Sequence, residues 1–188
     1  MFIRIIIVAL YFLKRKINSN MIYVTHDQTE ALTFADRVIV MHEGSIIQVG
    51  TPQELFEKPQ HTFVGRFIGS PGMNVIPCVV EGATAIVGEH RISLHASLGS
   101  DFRNSGLQNT ELGIRPEYVR LSQEQGLPAV ITAIEDVGKH VVVRVNVAGH
   151  ELKVIQREGE PIPRNPRVWF EPGKMNLYQN AHLVEAAQ

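Results

Sequence analysis

Met21-Ile22-Tyr23-Val24-Thr25-His26-Asp27-Gln28-Thr29-Glu30-Ala31 opens on a β-branched and aromatic run and turns polar at His26-Asp27. That change predicts a short buried strand over Met21 to Thr25, followed at once by a helix start. Thr25, His26 and Asp27 are then expected at the C-terminal end of a strand. From Asp27 onward, Ala31, Leu32, Phe34 and Ala35 give one apolar face, and Gln28, Thr29 and Glu30 make a polar first turn. This is the pattern of a short amphipathic helix.

Working outward, Arg37 to Met41 and Ile46 to Val49 are apolar runs separated by Glu43-Gly44, which predicts a hairpin with Gly44 at positive φ. Gly50 ends its second strand. Thr51-Pro52-Gln53-Glu54 places an N-cap threonine, an N1 proline and an N3 glutamate in a capping box, so a helix is expected to start there and to stop before Pro59. Phe63, Val64, Phe67 and Ile68 predict another helix, and the turn formers Gly69-Ser70-Pro71-Gly72 mark a domain boundary.

Beyond Asn74 the texture changes to short alternating or β-branched runs. These are Val75 to Val80, Ala83 to Val87, Arg91 to Leu94, Glu111 to Ile114, Val130 to Ile134, Val141 to Val147, Glu151 to Ile155 and Val168 to Phe170. Such spacing predicts a small barrel or sandwich. Residues 99–109 and 157–166 are polar, carry Gly or Pro, and are expected to be loops.

At 188 residues, 44% hydrophobic and 20% charged, the chain has the composition of a packed globular protein and room for two small units. A net charge of −1 leaves no global basic field for nucleic acid. Cys78, the single cysteine, cannot form an internal disulfide, and no metal-type spacing surrounds it, which favours a reducing compartment, the cytoplasm by default. Met1 to Leu13 is apolar apart from Arg4 but ends at Lys14-Arg15-Lys16, short of the roughly 20 apolar residues that a spanning helix needs. It also makes a poor signal peptide, because its basic residues follow the apolar run. A buried element, an interfacial anchor and a non-native leader upstream of Met21 all stay open.

Val24-Thr25-His26-Asp27-Gln28-Thr29-Glu30-Ala31 resembles the switch-histidine region of ABC-transporter ATPases. Taken alone, His26 is better read as a satisfied histidine at a helix start. An imidazole at a strand's C-terminal edge can, however, hydrogen-bond a phosphoryl oxygen, and the context reverses the balance. Arg37-Val38-Ile39-Val40-Met41, Gly44, Gln48-Val49-Gly50-Thr51-Pro52, Phe63-Val64, Phe67-Ile68-Gly69-Ser70-Pro71 and Met73-Asn74 resemble, in order and spacing, the importers of sugars and glycerol phosphate, the maltose-importer ATPases among them. Leu112-Gly113-Ile114-Arg115-Pro116-Glu117 resembles the Arg-Pro-Glu signature of the C-terminal OB-like (TOBE) domain of these ATPases.

The resemblance implies an α/β remnant of a P-loop nucleotide-binding domain followed by an all-β OB-like barrel. The implied divisions are an atypical leader or remnant helix over residues 1–20, the C-terminal part of the ATPase domain over 21–72 and a regulatory barrel over 73–188. It further implies that His26 meets the γ-phosphate of ATP, that Arg115, Pro116 and Glu117 have structural or sensing roles, and that the intact family uses ATP and Mg. A second ATPase subunit and a membrane permease are the implied partners, with the protein peripheral to the inner face of the cell membrane. No nucleic-acid partner is expected.

The chain departs from the family where phosphates are held. A P-loop needs G-x-x-x-x-G-K-[ST], so that backbone N–H groups and a lysine face the phosphates. Gly138-Lys139-His140 and Gly173-Lys174-Met175 do not qualify. Ile5 to Leu10 runs into Tyr11-Phe12 instead of the Asp-Glu of a Walker B strand, and Leu121-Ser122-Gln123-Glu124-Gln125 shares just the opening of the Leu-Ser-Gly-Gly-Gln signature. This chain alone is therefore expected to bind and hydrolyse no ATP. A truncated or frame-disrupted gene, or a mistaken start site, would account for the foreign look of Met1 to Leu13. The alternatives are a free-standing regulatory barrel that binds a small ligand or protein, and a product without function whose strand at Ile22 to Val24 exposes apolar edges.

Overall fold

A computed structural model describes residues 20–94 and 109–184. The expectations for residues 1–19 and for most of the loop at 99–109 lie outside the described residues.

Helix α1, Gln28–Phe34, starts where Asp27 accepts hydrogen bonds from the N–H groups of Thr29 and Glu30. Strands β1, Val38–His42, and β2, Ser45–Gly50, form the expected hairpin, with Glu43 at φ 48° and Gly44 at φ 77°. Two successive positive φ values give the turn twist that suits a two-residue hairpin loop. Helix α2, Pro52–Glu57, has both halves of its capping box: Thr51 accepts from Glu54 N–H and Glu54 accepts from Thr51 N–H. Helix α3, Thr62–Phe67, is capped by Nδ1 of His61, which accepts from the Phe63 N–H at 3.0 Å. Val40, Leu55, Val64 and Ile68 form the buried cluster between the hairpin and these two helices.

One expectation fails. Residues 20–25 form no strand, and Ile22 and Val24 are 92% and 90% exposed. A strand needs a neighbour to accept its backbone hydrogen bonds and a layer to cover its side chains, and among the described residues β1 and β2 pair with each other alone. The His26 turn is accordingly not at a strand end.

From residue 74 onward the described strands all pair antiparallel. Strands β3 (Asn74–Glu81), β4 (Thr84–Val87), β5 (His90–Ser93), β6 (Thr110–Ile114), β13 (Met175–Gln179) and β14 (His182–Leu183) make one sheet in the order β14-β13-β6-β3-β4-β5. Strands β9 (Val130–Asp136), β10 (His140–Val147) and β11 (His150–Arg157) make a second, in the order β11-β10-β9, and β7 (Val119–Ser122), β12 (Arg167–Phe170) and β8 (Leu127–Pro128) a third, in the order β7-β12-β8. All three contribute to one core, in which Leu112, Ile114, Val143, Leu152, Val168 and Leu177 are fully or almost fully buried. Asn74 ties two of the sheets together: its Nδ2 donates to Lys153 O and its Oδ1 accepts from Lys153 N–H, both at 2.8 Å.

All eight expected strand segments are present, displaced by a residue or two. Of the loop expected over residues 157–166, Arg157 is the last residue of β11 and residues 158–166 contain no strand. Four strands were not anticipated: β7, β8, β13 and β14. Met175–Gln179 alternates with an asparagine and follows a Gly-Lys pair, so little in its pattern announces a strand, yet it pairs with β6 in the largest sheet.

Candidate functional site

Along β6, Leu112 and Ile114 face the core, so by the alternation of a strand Glu111, Gly113 and Arg115 face the other way. In the neighbouring β13, Asn176 sits opposite Gly113 and Tyr178 opposite Glu111. The outward patch of two adjacent strands thus presents an acid, a glycine, an arginine, an amide and a phenol. Helices α2 and α3 lie on it.

Gly113 is what permits the approach. A Cβ at this position would lie 2.6 Å from Cε2 of Tyr178 and 2.8 Å from Cε of Met73. Met73 in turn donates its N–H to Gly65 O on α3 at 2.9 Å and takes a contact from the Tyr178 hydroxyl at 3.7 Å.

Arg115 precedes Pro116, and a residue before proline is held extended; its φ of −68° and ψ of 141° carry the side chain on from β6 towards the helices. The residue is 3% exposed. Its Nε donates to Phe56 O at 3.0 Å, one terminal nitrogen to Leu55 O at 3.3 Å, and the other to Gly65 O at 2.9 Å and also to Ile68 O. The guanidinium carbon stands 4.2 Å from the centroid of the Phe56 ring. One planar fork therefore satisfies carbonyls from both helices, a geometry that lysine cannot reproduce. Burial pulls the guanidinium below its ordinary pKa, and the Glu117 charge is the largest opposing influence. Glu117 Oε2 is shielded from solvent without a hydrogen-bond partner among the described residues.

The other carbonyls at the end of α2 are met in the same way. Asn176 Nδ2 donates to Glu57 O at 3.2 Å, Gln48 Nε2 to Lys58 O at 3.2 Å and the Tyr178 hydroxyl to Pro59 O at 3.0 Å. A short helix leaves its last carbonyls without intrahelical donors. Here five consecutive carbonyls, Leu55 to Pro59, accept from side chains, and β2, β13 and Arg115 just beyond β6 supply the donors. Tyr118 closes the rim, donating to Glu57 Oε1 at 2.7 Å with Lys174 Nζ 4.6 Å above its ring. Burial pushes the Tyr178 phenol far above its usual pKa, so it stays a donor.

His26 is exposed in the turn before α1, where Thr25 donates to Glu30 at 3.0 Å and accepts from Asp27 N–H at 3.0 Å. Among the described residues, no hydrogen bond or ion pair joins this turn to the Arg115 seam, and no group of three or more His, Cys, Asp or Glu side chains could hold a metal ion. None of the described helices is long and apolar enough to cross a membrane. Sequence reasoning singled out Arg115, Pro116 and Glu117 but missed Gln48, Asn176 and Tyr178. The i, i+2 spacing of Asn176 and Tyr178 marks one strand face, but nothing local says what covers it.

Two known modules match the chain by sequence. Residues 69–119 match the MalK OB fold domain and residues 112–174 the TOBE domain. The chain belongs to the proteins that carry these modules and is homologous to the C-terminal part of ABC-transporter ATP-binding proteins. It is 34% identical over 162 residues to an uncharacterized ABC transporter ATP-binding protein of Sinorhizobium fredii, across 86% of this chain and 43% of that protein. It is also similar to the sn-glycerol-3-phosphate import ATP-binding protein UgpC, with 43% identity over 131 residues in Salmonella typhimurium (69% of this chain, 36% of that one). The UgpC of Bordetella parapertussis is 37% identical over 174 residues (85% and 48%). The chain spans less than half the length of these relatives.

Proposed function

We propose that this chain is the C-terminal part of the ATP-binding subunit of an ABC importer for sugars or glycerol phosphate. Residues 21–72 are the end of its ATPase domain and residues 73–188 its regulatory OB-like domain. The observation that supports this reading is the seam at Arg115, where the arginine of the segment that resembles the Arg-Pro-Glu signature donates to backbone carbonyls of both α2 and α3. In the assembled importer a second ATPase subunit and a membrane permease are the partners, at the inner face of the cell membrane. Bound MgATP would place its γ-phosphate at His26, whose exposed imidazole N–H can donate to a phosphoryl oxygen.

By itself the chain holds and hydrolyses no ATP, because it contains no run of P-loop, Walker B or signature residues. The test is equilibrium binding of a fluorescent ATP analogue with Mg²⁺ to the purified chain, beside its His26→Ala variant. Absence of saturable binding agrees with the proposal. Tight binding abolished by His26→Ala would overturn it, by showing a complete nucleotide site in this chain.

A further inference from the structure

An open cleft of about 530 Å³ is lined by residues 128–131, which run from the end of β8 into β9, and by residues 164–167, which lead into β12. Its lining includes the apolar Ala129 and Ile131 and the two arginines Arg164 and Arg167, and no acidic side chain. The two strips are tied together where Ala129 N–H donates to Pro166 O at 3.0 Å. Arg167 is held in place, because its Nε donates to Gly126 O at 2.9 Å. Gly126 can pack there for want of a Cβ, which would lie 2.2 Å from Val168 O.

The positive charge of this cleft has no counter-ion on the protein. Arg66, Arg91, Arg120, Arg144 and Lys174 each stand 2.7 to 3.7 Å from a glutamate oxygen, whereas Arg164 and Arg167 make no ion pair among the described residues. Two guanidinium groups along one concave wall focus a field that attracts anions. Each presents a planar fork that matches the oxygens of a phosphate, and one of the two is already ordered before a ligand arrives. The charge count favours a dianion: a phosphate monoester carries about −1.5 to −2 at neutral pH, and a single carboxylate brings one charge. The apolar strip beside the arginines suits the carbon body of such a ligand.

We propose that this cleft binds a small phosphate monoester, with its phosphoryl oxygens on Arg164 and Arg167 and its carbon body against Ala129 and Ile131. Occupancy needs neither nucleotide nor permease, so failure of this site and failure of the importer reading are separable.

The full-length chain, labelled with ¹⁵N, is titrated at neutral pH and constant ionic strength with phenyl phosphate, and in parallel with benzoate and with phenol. Binding is read from the amide resonances of Ala129, Ile131 and Arg167. Phenyl phosphate is expected to saturate them with a Kd of about 1 mM or below, benzoate to bind at least about fivefold more weakly, and phenol to leave them unmoved. Arg164→Gln removes an exposed side chain that makes no hydrogen bond or ion pair among the described residues, so the fold is kept. It should weaken phenyl phosphate about tenfold. Any of three results overturns the proposal: no saturation at these amides, benzoate binding as tightly as phenyl phosphate, or Arg164→Gln binding like the wild type.

Discussion

Arg115 Nε donates to the carbonyl of Phe56 at 3.0 Å while the same guanidinium lies 4.2 Å from the centroid of the Phe56 ring. One residue at the end of a core strand thus grips both the backbone and the side chain of a residue 59 positions earlier. The contact joins the helical piece to the β-core by charge-assisted hydrogen bonds that water cannot replace without opening the seam.

Removing that grip is expected to be among the most damaging changes available. Arg115→Ala strands carbonyls of both helices, and Arg115→Lys restores one direction of the fork at most. Losses of about 3 kcal/mol or more for alanine, with a smaller loss for lysine, are expected from urea unfolding. Equal stability of wild type and Arg115→Ala would mean that the seam contributes nothing.

Tyr178→Phe keeps the ring and deletes the donor to Pro59 O. A loss of about 1 to 2 kcal/mol, read from the urea midpoint at unchanged slope, is expected. An unchanged midpoint would show that the carbonyl finds another donor.

Gly72→Ala tests close approach rather than hydrogen bonding. A Cβ there would sit 2.1 Å from the Arg66 carbonyl oxygen, a backbone atom that cannot swing aside. The expected loss is about 2 kcal/mol or more in thermal or urea unfolding. Gly82→Ala is the companion: its Cβ would meet nothing, leaving just the strain of φ 57°, so a loss larger than that of Gly72→Ala would refute the packing explanation.

Acid should loosen the second joint between the two parts, where Thr62 N–H donates to Ala181 O at 2.8 Å and the rings of His61 and His182 meet edge to face at 4.8 Å. Burial lowers the His61 pKa, His182 and His42 lower it further, and Glu111, itself 3.7 Å from Arg66, opposes them. The unfolded chain then binds a proton at His61 more readily than the folded one. The stability contribution is full above the ordinary histidine pKa of about 6.5 and falls as pH drops through the lower folded value. His61→Asn keeps a side-chain acceptor for the Phe63 N–H and should flatten the fall in stability below about pH 6.5. An unaltered slope in urea titrations of that variant would exonerate His61.

Elements whose causes are local were legible in advance. The capping box at Thr51 and Glu54 and the Glu43-Gly44 turn each rest on residues within a few positions of one another, so the sequence alone located them. Ile22 to Val24 shows the opposite case: β-branched residues report a preference for a pleated surface, and no preference supplies the missing neighbour. Met175–Gln179 failed in the other direction, a strand made by its partner β6 and by burial of Leu177 more than by its own pattern.

The motif at Arg115 divides in the same way. That the segment leaves a strand at a proline, and that it resembles the Arg-Pro-Glu signature, could be read from six residues. That its guanidinium closes the ends of two helices could not, because the partners at Leu55, Phe56, Gly65 and Ile68 are backbone carbonyls, which carry no mark in the sequence. By itself the sequence determined the family resemblance, the β-rich second half and the local caps and turns, since these follow from steric preference and short-range hydrogen bonding. The tertiary structure decided which face of β6 and β13 receives the helices and, Gln48 aside, which donors end α2, because those outcomes depend on groups brought together from 47 to 119 positions apart.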